Sequence, residues 1–368
     1  MKIKSYAIVS VLTIALLSCR DLALSHFENL QEFNKAQKIE GEFCVIDSVR
    51  LEEGEFFFGN PDFNIKATNY STALTSMENG QIWAFGKEGR LSHYFDSRTT
   101  FEGQVGKILN AYDIDTKQGI AYAMYIGEDA IYQYDLINQE LLSKIELEMP
   151  EDLSPISMPL LKWNESKQLF VVSTGYKYYL NDKDFYEKSK LISVFSKDGE
   201  YLNSFGTFPD YFTEVVHFNS WIRFFHAYMD NEYIYLSFGR RPQIYKFDYN
   251  GELLATFGQT SEEFDYKVEK ITPDQPSFNQ FSDLYYGLAK NENENVFYYF
   301  ILDIDKPIGK KLNFSYRVLK LDCDKNIYLE ATIPSNYKLL PNAKGDTLYF
   351  YNVDMQYDEK YLVKALLK

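Results

Sequence analysis

The sequence predicts an all-β protein, a six-bladed β-propeller of four-stranded antiparallel blades, and three observations carry that expectation. Aromatic residues make up 17% of the chain, with 31 Tyr and 29 Phe, and beyond residue 41 no long amphipathic helix or Pro/Ser linker interrupts them. A strand–turn–strand unit, clearest in Arg240–Gly258 around Asn250-Gly251, recurs in weaker copies along the chain. Asn-Gly suits such a hairpin because both residues accept positive φ at little cost. Finally, the last unit stops one strand short at Lys368, while Glu42–Leu51 is a strand with no unit of its own. Placed on the outer edge of the last blade, it completes the count, closes the ring and removes an exposed edge.

The chain begins with Lys2 and Lys4, then an apolar run from Tyr6 to Leu17 that ends in Leu16-Leu17-Ser18-Cys19. A basic start, a short apolar core and a small residue form a secretory signal. The run is shorter than the roughly 20 residues a membrane span needs. Cysteine directly after the small residue resembles the lipobox of bacterial lipoproteins. That resemblance implies cleavage before Cys19 and lipid on its thiol and new amino terminus. Arg20 follows, not Asp, so the inner-membrane retention signal known in some bacteria is absent; by that analogy the expected address is the outer membrane of a cell envelope. Residues 1–18 are then the signal, 19–40 a lipidated tether read as a spacer or short surface helix, and 41–368 one propeller domain.

Without residues 1–18 the chain keeps 36 basic and 53 acidic residues, a net charge of −17. Such a body stays soluble and is unsuited to nucleic acid, whose binding depends on cationic contacts to phosphate. Of the remaining cysteines, Cys44 and Cys323 are expected to be an unpaired couple rather than a bridge.

Six runs read as buried strands: Gln81–Gly86, Ile120–Ile126, Leu169–Thr174, Tyr233–Gly239, Val296–Leu302 and Thr347–Val353. Their residues are apolar or aromatic on both faces, as sheets stacked between sheets require. Each is followed by a second strand: Leu91–Asp96, Ala130–Asp135, Leu191–Ser196, Gln243–Asp248, Tyr316–Asp322 and Tyr361–Leu367. Tight turns at Asn138-Gln139, Asp198-Gly199 and Asn250-Gly251 lead into third strands such as Glu140–Leu147 and Glu252–Phe257. A further strand precedes each aromatic run, giving four per unit, the up-and-down order of a propeller blade. Residues 97–106 fit this frame worst.

Repeats that end in Phe-Gly, such as Tyr245-Lys246-Phe247-Asp248 to Thr256-Phe257-Gly258 and Val194-Phe195-Ser196 to Ser204-Phe205-Gly206, resemble the NHL/TolB-like six-bladed propellers. With the lipobox, residues 41–368 resemble envelope propeller lipoproteins of unknown function. That resemblance implies a fold; function is not carried by it.

A blade with an even strand count starts and finishes on one side of the ring. All the long connections, Gly54–Lys66, Gly175–Ser189, Thr207–Asn219, Gln259–Gln280 and Asp303–Asn313, therefore fall on one face, which becomes the expected binding surface. Candidate binding residues there are Tyr176, Tyr178, His217, Trp221, Arg223, Arg240 and Arg241, with Tyr179, Phe208, Tyr211 and Phe212 nearby. Aromatic platforms with a few charges suit a sugar ring or a protein's side chains, and one of the two arginines could clamp an anion bidentately. Packing and an ion pair to a neighbouring blade are the plainer roles for these residues.

Motif chemistry is sparse. No Gly-x-Ser-x-Gly, HExxH, CxxC or phosphate-binding glycine loop occurs, and His26, His93, His217 and His226 have no metal-ligand spacing. Asp113-Ile-Asp115 opens like a calcium loop, but Lys117 and Met124 stand where ligands are needed. No cofactor and no metal is implied. The expected function is non-catalytic binding or scaffolding of an envelope protein or glycan, with the lipid as membrane contact. The alternative is a propeller hydrolase or lyase acting on an extracellular carbohydrate or lactone, with Asp182, Asp184 and Asp210 as its acids.

Overall fold

The computed structural model describes residues 33, 35–52, 66–67, 71–76, 81–86, 88–96, 109–115, 118–156, 160–178, 182–209, 225–264, 283–305, 313–354 and 359–368. The N-terminal segment gives β1 (Gln37–Glu40) and β2 (Phe43–Arg50), which join sheets formed near the end of the chain. Next come β3 (Lys66–Ala67), β4 (Ser71–Ser76), β5 (Gln81–Gly86) and β6 (Leu91–Asp96). A blade follows from β7 (Leu109–Asp115), β8 (Ile120–Tyr125), β9 (Ala130–Asp135) and β10 (Glu140–Glu146). In the next, β11 (Leu153–Pro155) and β12 (Leu161–Asn164) both pair with β13 (Leu169–Tyr176). Helix α1 (Asp182–Lys188) then leads to β14 (Ile192–Ser196) and β15 (Tyr201–Phe205). Another blade is β16 (Phe225–Met229), β17 (Tyr233–Phe238), β18 (Arg241–Asp248) and β19 (Leu253–Gly258). It is followed by β20 (Leu284–Lys290), β21 (Val296–Asp305), β22 (Asn313–Asp322) and β23 (Ile327–Ile333). The chain ends in β24 (Tyr337–Lys344), β25 (Thr347–Asp354) and β26 (Glu359–Leu367).

The expectation of six equal, four-stranded antiparallel blades is corrected. Five sheets carry the full four-strand ladder of a propeller blade, and two of these are widened to five strands. The sixth sheet, β3–β6, is the least regular among the described residues. Its first member is a two-residue strand against Thr72-Ala73, and residues 97–106, needed for an outer strand beyond β6, lie outside the described residues. Nor are the blades purely antiparallel, because β1 adds to β23 in parallel. The tether expectation changes with it: Gln37–Glu40 is strand rather than spacer or helix, and Phe33 before it is buried. A free row of backbone groups on β23 outweighs the weak local preference of this segment.

At the other end, β2 pairs antiparallel with β26 from Phe43↔Leu367 to Arg50↔Tyr361, so the N-terminal strand forms the outer edge of the last blade. Cys44 on β2 and Cys323 are both free thiols, and burial pushes Cys323 up to about 12.

Blade-on-blade packing explains the composition. In β21, Phe297 to Ile301 are each 0% exposed, so both faces of the strand are covered. Phe297, Tyr299 and Ile301 pack with Tyr235 and Ile244 of the preceding blade, and Tyr298 and Phe300 with Leu348 and Phe350 of the following one. Tyrosine suits such seams because its ring is apolar while its hydroxyl needs a partner. The Tyr299 hydroxyl donates to the Pro242 carbonyl at 2.6 Å, and that of Tyr298 to Asp346 at 2.7 Å, each across a seam. Between the β12–β15 and β16–β19 blades, Asn164 donates to the Tyr249 hydroxyl, which donates to the Asp230 carbonyl, both at 2.7 Å.

The acidic residues have a matching local role. Asp135, Asp230, Asp248 and Asp322 end or follow strands and accept hydrogen bonds from backbone N–H groups two to four residues on. A short carboxylate that mimics a backbone acceptor is what a tight turn favours. These four carboxylates are thus turn chemistry.

Candidate functional site

Strand direction alternates along an antiparallel meander, so the segments after the second and fourth strands of every blade leave from one face. The connections after β13, β15, β19 and β21 all belong to that class. The best-described part of this face is the end of β13 with α1. Phe185 and Tyr186 of α1 are buried against Phe208, and a Cβ on Gly175 would lie 3.0 Å from the Phe185 ring, so the helix sits directly on the strand backbone. Ser189 Oγ accepts the Tyr176 N–H at 2.9 Å, and the Asp152 carbonyl accepts that of Lys177, also at 2.9 Å.

These anchors present two rings outward. Tyr178 is 52% exposed and meets the half-buried Tyr176 edge-on, with centroids 6.3 Å apart. Lys188 Nζ lies 5.0 Å from the Tyr176 ring and Lys177 Nζ lies 5.6 Å from that of Tyr178. Asp184 bonds Lys188 one helical turn away at 3.3 Å and holds its ammonium above the usual range. The patch is a rigid aromatic pair flanked by two cations, on a chain of net charge −15.

Arg240 is placed elsewhere. It is 2% exposed, donates to the Asp283 carbonyl at the start of the next blade and lies 5.7 Å over the Phe264 ring, which stacks on Tyr285 at 4.5 Å. This geometry straps the β16–β19 blade to the next through a backbone carbonyl and a ring, a contact different from the inter-blade ion pair expected. Arg241 opens β18 and is half-buried. His217, Trp221, Arg223, Asp210, Tyr179, Tyr211, Phe212 and Cys19 lie outside the described residues, as does the side chain of Asp182. Asp184 is tied to Lys188, and Phe208 is core. Among the described residues, no three His, Cys, Asp or Glu side chains are grouped to hold a metal ion.

Sequence reasoning missed Arg317, which lies 4% exposed in β22. Its guanidinium grips Asp303 bidentately at 2.7 and 2.6 Å, donates to Ser261 Oγ at 2.7 Å and to Glu330, and lies 3.6 Å from Glu263 and 3.7 Å from Asp283. Burial pulls its pKa down, but Asp303 and the other carboxylates more than offset this and raise it. Glu330 is raised, chiefly by burial. A readable signal was there: one arginine inside the otherwise apolar Tyr316-Arg317-Val318-Leu319. On the inner strand β16, His226 Nε2–H donates to the Tyr285 carbonyl at 3.0 Å, and desolvation lowers its pKa to about 4 despite that bond.

The opposite face holds a cleft of about 650 Å3. Turns of the β16–β19 and β20–β23 blades line it with Asp230, Glu232, Glu294 and Asp322, and with Lys290 paired to Asp230 at 3.5 Å.

Together, stacked four-stranded meanders and a loop-bearing face define a β-propeller. No family model and no curated protein matches the chain. Solved structures do match. A member of the DUF4221 family from Bacteroides vulgatus is similar with a TM-score of 0.62 at 12% identity, over 89% of this chain and 98% of that one. A Bacteroides fragilis protein described as exported is similar with a TM-score of 0.56 at 11% identity, over 90% and 99%. The likeness to a virginiamycin B lyase from Staphylococcus aureus is lower, TM-score 0.41 at 11% identity over 88% and 99%, and carries no functional weight. At such identities the likeness is one of fold. The first two neighbours support a propeller, not the narrower NHL/TolB group.

Proposed function

We propose that the chain is a lipid-anchored envelope propeller that binds a protein or glycan partner through its loop-bearing face, without catalysis. The Tyr176–Tyr178 pair carries this reading. Two rings held partly in water by a buried helix, with lysines beside them, present the flat apolar faces and cationic rim that recognise sugar rings or a partner's side chains. An envelope address accords with the Ser18-Cys19 lipobox and with the exported neighbour.

The test is purification of the full chain from gently solubilised envelopes, with mass spectrometry of proteins and glycans that accompany it. A stoichiometric companion, lost from a Tyr176→Ala/Tyr178→Ala variant that melts like wild type, is the expected result. Retention of the companion by that variant would place binding elsewhere. In parallel, labelled palmitate should enter wild type and not Cys19→Ala, and the Cys19→Ala body should move to the soluble fraction.

A further inference from the structure

The outer strands of the blades differ in one respect. In β2, β10, β15 and β19 the ladder to the neighbouring strand slips at one place, and the extra residues are Ile46, Leu142, Leu202 and Leu254. All four are aliphatic and 44–50% exposed. A bulge twists a sheet edge and spoils it for a further strand. The outer strand β23 has no slip: its ladder to β22 runs unbroken from Tyr316↔Ile333 to Asp322↔Ile327. Among the described residues this straight edge is also the one that carries an added outer strand, β1, in register from Gln37↔Ile327 to Glu40↔Glu330.

β1 fits that edge poorly. Its four residues are all exposed, so little apolar burial holds it. Lys38 makes an ion pair with Glu262 at 2.8 Å, but both groups are solvated, and water screens such a pair so that it holds the strand only weakly. Glu40 lies beside Glu330, and like charges in paired positions repel. The Glu330 side chain is 6% exposed, and its Oε2 meets no hydrogen-bond partner, an acceptor without a donor at the position β1 fills with another acid. Glu262 and Glu263 are exposed beside it.

We propose that the outer edge of β23 is a binding site for an extended segment of a partner protein, which adds in parallel in place of β1 and sets one basic residue beside Glu330 and another beside Glu262. The same exchange reaches the loop-bearing face. Phe33 and Ala36 hold Thr260 and Gln259 through hydrogen bonds of 3.2 Å each, and the segment that follows carries Ser261 and Glu263 to Arg317 and Phe264 to Arg240. Displacement of β1 unfastens that segment.

The probe is a fluorescein-labelled peptide of residues 34–41 carrying Glu40→Lys, titrated with the full chain. Gln37 N–H donates to the Asn326 carbonyl, and in a parallel ladder the next donor to β23 is Ile39, so Ile39→Pro disables β1 in cis. Saturable binding to the Ile39→Pro chain is expected, about ten-fold weaker to wild type, where β1 competes. The unsubstituted peptide should bind several-fold more weakly than the Glu40→Lys peptide. Equal binding by a control peptide that itself carries Ile39→Pro, or no binding by an Ile39→Pro chain that melts like wild type, overturns the site. Glu40→Lys in the full chain gives a reading independent of that variant's folding. Hydrogen exchange at Ile39 should slow about ten-fold, and an unchanged rate overturns the role of Glu330.

Discussion

Arg317 draws together Asp303 from β21, Glu330 from β23, and Ser261 and Glu263 from the link that enters the blade. Removing the buried guanidinium leaves the carboxylates of Asp303 and Glu330, 18% and 6% exposed, without their main counter-charge. Arg317→Met should therefore lose about 3–5 kcal/mol in urea unfolding at pH 7. Arg317→Lys should recover only part of it, because an ammonium cannot grip Asp303 at two points. His226 supplies a pH dependence with a definite sign. Its folded pKa of about 4 lies below the ordinary 6.5, so from pH 6.5 down to 4 the unfolded chain takes a proton that the folded one refuses. Stability should fall across that window by on the order of 2 kcal/mol, and a His226→Gln chain should show a flatter profile over the same range. The sequence marks Arg317 only as a lone charge in an apolar run and His226 only as a packed strand residue; their partners are not legible in it. Arg240 was marked as a possible anion clamp because it stands at a turn in an acidic chain, yet only the neighbouring blade, with its Asp283 carbonyl, shows where the guanidinium goes.

Among the elements, the tight turns were the most legible, because Asp, Asn and Gly state their backbone needs locally. Gly199 has φ +92°, and a Cβ there would lie 2.0 Å from the Glu146 carbonyl oxygen at the end of the preceding blade's outer strand. At Gly251, φ +87°, a Cβ would lie 2.7 Å from the Phe205 ring, a side chain of the preceding blade. The sequence marks both as turns; the contact with the preceding blade is invisible to it. Gly199→Ala should cost at least about 2 kcal/mol in thermal or urea unfolding, since backbone strain and a clash with main chain add. By contrast, Tyr178→Ala should change stability by less than about 0.5 kcal/mol, as an exposed ring makes few folding contacts. The bulges in the outer strands were not legible. A run such as Glu252-Leu253-Leu254 reads the same with or without a slipped residue, and only the partner strand decides the register.

At the level of the whole molecule, the ring is held by a strand from one end of the chain paired with a strand from the other. Phe43, Val45 and the rest of β2 cover the edge of β26, whose Val363, Ala365 and Leu367 are core. A chain that starts at residue 42 should keep cooperative unfolding and lose only what β1 contributes. One that starts at residue 51 should lose the cooperative transition or aggregate, because β26 becomes an open edge and its core face loses cover. Differential scanning calorimetry of the two truncations separates these outcomes.

The sequence by itself determined the strands of the blades, the turns between them and the need for Glu42–Leu51 at the end of the chain. Each of these follows from local pattern: apolar on both faces, Asp or Gly at a turn, a strand without a unit. It did not determine that the β3–β6 sheet opens on a two-residue strand, that Gln37–Glu40 adds to β23, or that Arg317 rather than Arg240 gathers the carboxylates. Those outcomes depend on which backbone edges and which charges are left unpaired once the blades stack. That is a property of residues hundreds of positions apart, such as Glu40 and Glu330, and it exists only in the folded ring.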